Sequence, residues 1–268
     1  MVKTTFEYTS GDFFELSSEQ RLEIISKLKE KSFKMTEIAK EIEATSQEIH
    51  RNLLRLESNG FVQKEKDGYY ALTTFGKTIY SQIPSIVFLS ENREYFETHD
   101  FCGIPTKFVM RIGQLRISKR IKGVSRVLEQ WKEIKENANE YVYETMSEIP
   151  LDLITPLATK LKENPKMHCH AIISESVISP RGRKKVIKEN EFENLVKKGQ
   201  LERRMFDVKT VVVLNEKSAC VSFPDTNGDP DIREIFYSED VQFHEWCLDY
   251  FRYCWYGSHA FNENKIKD

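Results

Sequence analysis

Gln47, His50, Arg51 and Arg55 lie within one short stretch, and all four side chains are suited to hydrogen-bonding the edges of bases. At about 100° per residue, Gln47, Arg51, Leu54 and Ser58 fall on one side of a helix, with His50 and Arg55 flanking them. Ile49, Leu53 and Leu56 form the opposite, apolar stripe. Arg can pair with guanine O6 and N7, and Gln with adenine N6 and N7, so this face suits the major groove of double-stranded DNA. Ser46, Gln47, His50, Arg51 and Arg55 are therefore the candidate contacts. A Gln/Arg/His face by itself is usually a solvated helix face, so the elements around it decide the reading.

Thr45-Ser-Gln-Glu48 reads as a capping box that starts this helix, and Asn59-Gly60 ends it. Upstream, Ser18 suits the N-cap of a helix patterned by Leu22, Ile25 and Leu28. A second short helix starts after Thr36 with Ile38 and Ile42 on one side. Downstream, segments 61–66 and 69–73 are joined by Asp67-Gly68, a tight-hairpin signal. Lys64 and Lys66 alternate onto one face near its tip, as a wing touching backbone phosphates would require. Thr73 or Thr74 caps a further helix that Pro84 ends. Two helices separated by a three-residue turn, then a glycine stop and a basic hairpin, are the order of a winged helix-turn-helix.

The stretch TEIAKEIEATSQEIHRNLLRLESNGFV, residues 36–62, resembles the ArsR/TrmB-like winged helices of archaeal regulators. The stretch YFETHDFCGIPTKFVMRIGQL, residues 95–115, carries the pattern HD-x-x-GIP followed by RIG-x-L. It resembles the second domain of one archaeal family, predicted regulators that include the methanogenesis regulatory protein. The resemblance implies a DNA-binding transcription regulator whose C-terminal domain senses or dimerises. It implies no particular ligand.

Charge qualifies this. The 268 residues carry a formal net charge of −2, and residues 1–83 sum to −1. Affinity for DNA must then come from a few placed cations, and two copies contributing them predict a homodimer. The hydrophobic content of 40% and charged content of 31% are ordinary for a globular chain. The apolar run at 211–214 is far too short for a membrane span, and the N-terminal MVKTTFEYTSGDFFE lacks a leader pattern. Cys102, Cys169, Cys220, Cys247 and Cys254 form no CxxC and suit free thiols in a reducing compartment. A cytoplasmic chain without membrane contact is expected.

The predicted fold class is α+β: a winged helix-turn-helix over 1–83, a helical connector over 84–137, and an α/β sensor or dimerisation domain with a mixed sheet over 138–268. Pro105 can open a helix carrying Phe108, Ile112 and Leu115, and Val124, Val127, Leu128, Trp131 and Ile134 pattern another. Strands at 141–146 and 167–173, around a helix at 151–161, predict a parallel pair with a right-handed crossover. A helix is expected at 192–201, and strands at 207–214 and 219–223. The last helix, from Ser238, stacks Val241, Phe243, Trp246, Tyr250, Phe251, Cys254 and Trp255, for core burial first and a subunit interface second.

Ligands favour the carboxyl ends of parallel strands. Thr145, Ser147, Ser174 and Ser176 lie there and are the candidate pocket for a small-molecule effector, although turn and capping duties explain such residues equally well. His168 and His170 share one face of a strand, but packing outranks metal binding without further ligands nearby. Arg181-Gly-Arg-Lys-Lys185 and Arg203-Arg204 read as solvated basic loops. An enzyme is the rival class, because related sensor domains invite comparison with phospholipase-D-like folds. None of His50, His99, His168, His170, His244 and His259 has Lys two residues later, and no G-x-S-x-G, HExxH or Walker loop occurs. No catalysis, cofactor or metal is expected. The alternative to a DNA reader is a winged-helix protein-interaction module in a transcription or chromatin assembly.

Overall fold

One hydrophobic core lies within Met1–Pro84 and two more within Ser85–Asp268, the two units into which the fold divides. The structure, a computed structural model, describes residues 5–178 and 180–266.

The first unit runs α1 (Thr5–Leu16), α2 (Glu19–Glu30), β1 (Phe33–Lys34), α3 (Met35–Glu41), α4 (Ser46–Ser58), β2 (Val62–Lys64), β3 (Tyr69–Leu72) and α5 (Thr74–Tyr80). The apolar stripe of α4, Ile49, Leu53 and Leu56, is fully buried against Ile24, Ile25 and Ile38. The strands form an antiparallel sheet in the order β1-β3-β2. Helix α1 was not anticipated from the sequence. Arg21, on α2, donates from Nε and Nη2 to the carbonyls of Glu15 and Phe14 (2.7 and 2.9 Å), which satisfies the free carbonyl end of α1. Ser18 precedes α2 as expected but makes no side-chain capping bond.

Between α3 and α4, Glu43 takes a left-handed backbone with φ 53°, a conformation costing an L-residue about 1–2 kcal/mol. The Thr45–Glu48 box forms as read: Thr45 Oγ1 accepts from the Glu48 amide at 3.3 Å, and Glu48 Oε2 accepts from the Thr45 amide at 3.0 Å. At the other end, α5 approaches so closely that a Cβ on Gly76 would lie 2.0 Å from the Phe61 carbonyl oxygen.

The second unit opens with α6 (Ile83–Glu91), α7 (Arg93–Phe96), α8 (Thr106–Val109), β4 (Lys119–Lys122), α9 (Val124–Glu136) and β5 (Tyr141–Glu148). There follow α10 (Ile154–Glu163), β6 (His168–Ile178), α11 (Arg183–Glu189), α12 (Phe192–Lys197) and β7 (Leu201–Phe206). It closes with β8 (Val211–Asn215), β9 (Ala219–Ser222), β10 (Glu234–Ser238), α13 (Val241–Gly257) and β11 (His259–Ala260). Eight strands make one mixed sheet in the order β11-β7-β6-β5-β8-β9-β10-β4. β5, β6 and β7 are mutually parallel, joined by the α10 crossover and the α11–α12 pair, and the remaining pairings are antiparallel. α9 to α12 cover one face around Val127, Trp131, Leu157 and Leu161. α6 to α8 and α13 cover the other around Phe88, Phe108, Phe223 and Trp246.

Several expectations are corrected. Residues 84–137 are no connector: Phe88, Tyr95, Phe108, Val127 and Trp131 are core residues of the second unit, and β4 belongs to its sheet. Pro84 lies in the first turn of α6 instead of stopping a helix, a position where its missing N–H costs nothing. Leu201, expected at a helix end, starts β7, and the basic run after Arg181 is the helix α11, with Arg183 buried. Most of α13's aromatics are buried, as expected first; Val241 is exposed. Among the described residues no helix is long and apolar enough to cross a membrane.

Candidate nucleic-acid interface

Helix α4 presents Ser46, Gln47, His50, Arg51 and Leu54 to the surface, opposite its buried stripe. Among the described residues, the side chains of Gln47, His50 and Arg51 make no hydrogen bond or ion pair, so their donors and acceptors remain available. Glu48, at the helix start, is held below the usual carboxylate range by hydrogen bonds from the Thr45 hydroxyl and amide. Its negative charge belongs to the cap and to the helix dipole.

Arg55 departs from its predicted role. Its Nε and Nη2 donate to Glu15 of α1 at 3.1 and 2.6 Å, and the guanidinium lies over the Phe14 ring at 5.3 Å. The hydrogen bonds to Glu15 raise its pKa further. Arg55 therefore anchors α4 to α1. The sequence had no means to reveal this, because α1 itself was not legible. Asn52, on the buried side of α4, likewise donates to Gln20 of α2.

The hairpin after α4 places Lys64 opposite Tyr70, with Nζ 5.7 Å from the ring centroid. Lys66 lies in the turn with Asp67 and Gly68, both of which have positive φ. The strand period therefore stops short of Lys66, and its placement comes from the turn. Lys34 of β1 pairs with Tyr69, its Nζ 5.1 Å over that ring, and so lies on the sheet face opposite Lys64, because Tyr69 and Tyr70 are successive strand residues.

In the second unit the four candidate effector residues separate. Thr145 is buried, donating to the Thr210 carbonyl at 2.9 Å and accepting from the Val212 amide at 2.8 Å, so it repairs the β5–β8 ladder. Ser174 is buried and bonded to Ser176 at 3.0 Å between hydroxyls. Ser147 and Ser176 line one open depression with Lys209 and Asp229.

His168 and His170 sit in an aromatic stack. His168 Nε2 is 3.0 Å from the Tyr143 hydroxyl, and the His170 ring lies on Trp255 at 4.5 Å. Burial, then the neighbouring His168, lowers the pKa of His170. Among the described residues no group of three or more His, Cys, Asp or Glu is placed to hold a metal ion. His99 of the HD-x-x-GIP stretch is also packed, stacked on Tyr95 at 3.7 Å with Nδ1 2.8 Å from the Tyr95 carbonyl.

Residues 12–92 match the family described as the HVO_A0261 N-terminal domain. That match runs from α1 through the wing into α6 and covers less than half of the chain. No curated protein matches the chain. Among solved structures, the archaeal chromatin protein TrmBL2, described as showing a novel mode of DNA binding, is 13% identical, with a TM-score of 0.43 over 86% of this chain and 88% of that one. The riboflavin-analogue dimethyltransferase RosA from Streptomyces davawensis is 13% identical, with a TM-score of 0.28 over 76% of this chain and 68% of that one. An O-methyltransferase family protein from Burkholderia thailandensis is 12% identical, with a TM-score of 0.26 over 78% of this chain and 65% of that one.

Proposed function

We propose that the chain is a sequence-specific DNA-binding transcription regulator of the archaeal family that includes the methanogenesis regulatory protein. In this reading it works as a homodimer in the cytoplasm, without catalysis. α4 enters the major groove with Gln47, His50 and Arg51 toward base edges, and Lys64 and Lys66 hold phosphates. The second unit biases operator binding through an effector or through dimer geometry. The observation that carries the reading is the division of α4 into a buried apolar stripe and a polar front whose Gln47, His50 and Arg51 are uncommitted. Each copy offers few cations, which is why the reading requires two copies.

Genome-wide occupancy mapping tests it. Discrete peaks sharing an inverted repeat are the expected result, and absence of DNA enrichment overturns it. The second reading, a protein-interaction winged helix, draws on the slightly acidic charge of residues 1–83 and on the commitment of Arg55 to Glu15. Light scattering that returns a strict monomer would remove the dimer from the proposal.

A further inference from the structure

A cavity in the second unit has no role in reading DNA. It lies between the sheet and α10–α12 and is walled by Met146, Leu153, Leu157, Ile173, Ile187 and Phe192. Its volume is about 60 Å³. At ~10–15 Å³ per water this is room for roughly four to six waters, well under the ~150 Å³ of a cavity that takes benzene, so it suits a short branched chain and not a ring.

Lys135, Glu144, Glu148, Arg183 and Arg203 are the charged side chains that line it. Lys135 Nζ lies 2.6 Å from Glu144 Oε2, a buried ion pair in which that oxygen has no hydrogen-bond partner. At the mouth, Arg183 (3% exposed) and Arg203 (20%) face the single carboxylate of Glu263. Arg183 donates to both oxygens of Glu263, but Arg203 Nη1 is 3.8 Å from Oε2, beyond hydrogen-bonding distance. The Arg203 guanidinium rests on the Phe261 ring at 4.2 Å. Burial, with the neighbouring Arg183, lowers the pKa of Arg203. Two largely desolvated guanidinium groups thus share one carboxylate, and that carboxylate comes from the short C-terminal turn Glu263–Lys265.

Buried Arg is the side chain best matched to a carboxylate, and an apolar cavity behind it selects the rest of the ligand. We infer that the second unit binds a short branched-chain carboxylic acid. Its body fills the space between Leu157, Ile173 and Phe192, and its carboxylate pairs with Arg203 and Arg183. Glu263 holds the ligand carboxylate's place in the unliganded chain and competes with it. Inorganic phosphate fits poorly, because the apolar walls would strip its hydration without replacing it. The binding itself is independent of DNA recognition. Only its use as a regulatory signal rests on the function proposed above.

Isothermal titration calorimetry of the full chain without DNA tests this, with 2-methylpropanoate and 3-methylbutanoate set against 2-methylpropanamide and 3-methylbutanamide at fixed ionic strength. Both acids should bind, and the amides should bind at least about tenfold more weakly, as loss of a charge-assisted pair predicts. Arg203→Met keeps the apolar stem and should weaken the acids by about tenfold or more. Glu263→Gln should tighten them several-fold by removing the competitor, and this variant leaves the cavity walls intact. Overturning results are equal binding of acids and amides, no heat from either acid up to about 10 mM, unchanged affinity in Arg203→Met, or phosphate binding as tightly as the acids. Because no DNA is present, a failed operator search leaves the outcome standing.

Discussion

Arg55 of α4 and Glu15 of α1 form a two-pronged ion pair, Nε to Oε2 at 3.1 Å and Nη2 to Oε1 at 2.6 Å. Arg21 approaches the same Glu15 carboxylate at 3.1 Å, so one buried acid serves two cations. Glu15→Ala leaves both cations without their shared acceptor and should destabilise the first unit by about 1–3 kcal/mol. A fall in the urea midpoint checks this; an unchanged midpoint would show that the pair contributes nothing.

Arg51→Ala should cost about 1–3 kcal/mol on a specific site and far less on random DNA. Lys64→Ala should weaken both DNAs alike and reduce the salt slope by about one. Fluorescence anisotropy on both DNAs over a salt series separates the two behaviours. Equal losses on both DNAs for Arg51→Ala would rule out base reading by Arg51.

The buried Lys135–Glu144 pair lies within the apolar layer between α9 and the sheet. Lys135→Met strands the carboxylate and should cost about 3–5 kcal/mol, whereas adding Glu144→Leu should recover most of that loss. Thermal denaturation of the single and double variants measures the recovery. A double variant no more stable than the single one would contradict it.

Gly76→Ala places a Cβ against the Phe61 carbonyl, which is backbone and cannot rotate away. Displacing α5 should cost about 1–3 kcal/mol, or more. Gly11→Ala, where a Cβ meets nothing within 4 Å, is the matched control. Chemical denaturation of the two should differ in that direction.

His259 of β11 is bonded to Glu175, which also accepts from Lys265. The Glu175 hydrogen bond raises the His259 pKa above its usual 6.5, so this stabilisation is full below pH 6.5 and fades as pH rises through the folded value. Bonds from His259 and Lys265 lower the Glu175 pKa below its usual 4.5, so that share is full above pH 4.5 and is lost on acidification. The attachment of the C-terminal segment is therefore strongest between those two values. Hydrogen exchange at residues 259–266, corrected for intrinsic rates, should be faster near about pH 8 than near about pH 5.5. Equal protection would disprove the coupling.

The first unit was largely legible because its signals are local. A capping box, a glycine stop and the Asp67-Gly68 turn act over a few residues, and the structure keeps each of them, although the strand alternation ends before Lys66. The parallel pair around α10 was legible for the same reason. α1 was not, since its end is satisfied by Arg21 from the next helix and its attachment to α4 is a pair forty residues apart. β4 and β10 were missed because neither has a strand period of its own. β4 is largely cationic, and its pairing with β10 is made between segments more than a hundred residues apart. Arg183 and Arg203 looked like surface charges because the carboxylate facing both is Glu263, at the far end of the chain.

The eight-stranded sheet ends on β4 at one side and β11 at the other. A terminal strand exposes a row of unpaired amides and carbonyls that can recruit a strand from another molecule. Here one border is only His259–Ala260, too short to seed such growth, and the other reads Lys-Arg-Ile-Lys, which repels a second copy of itself.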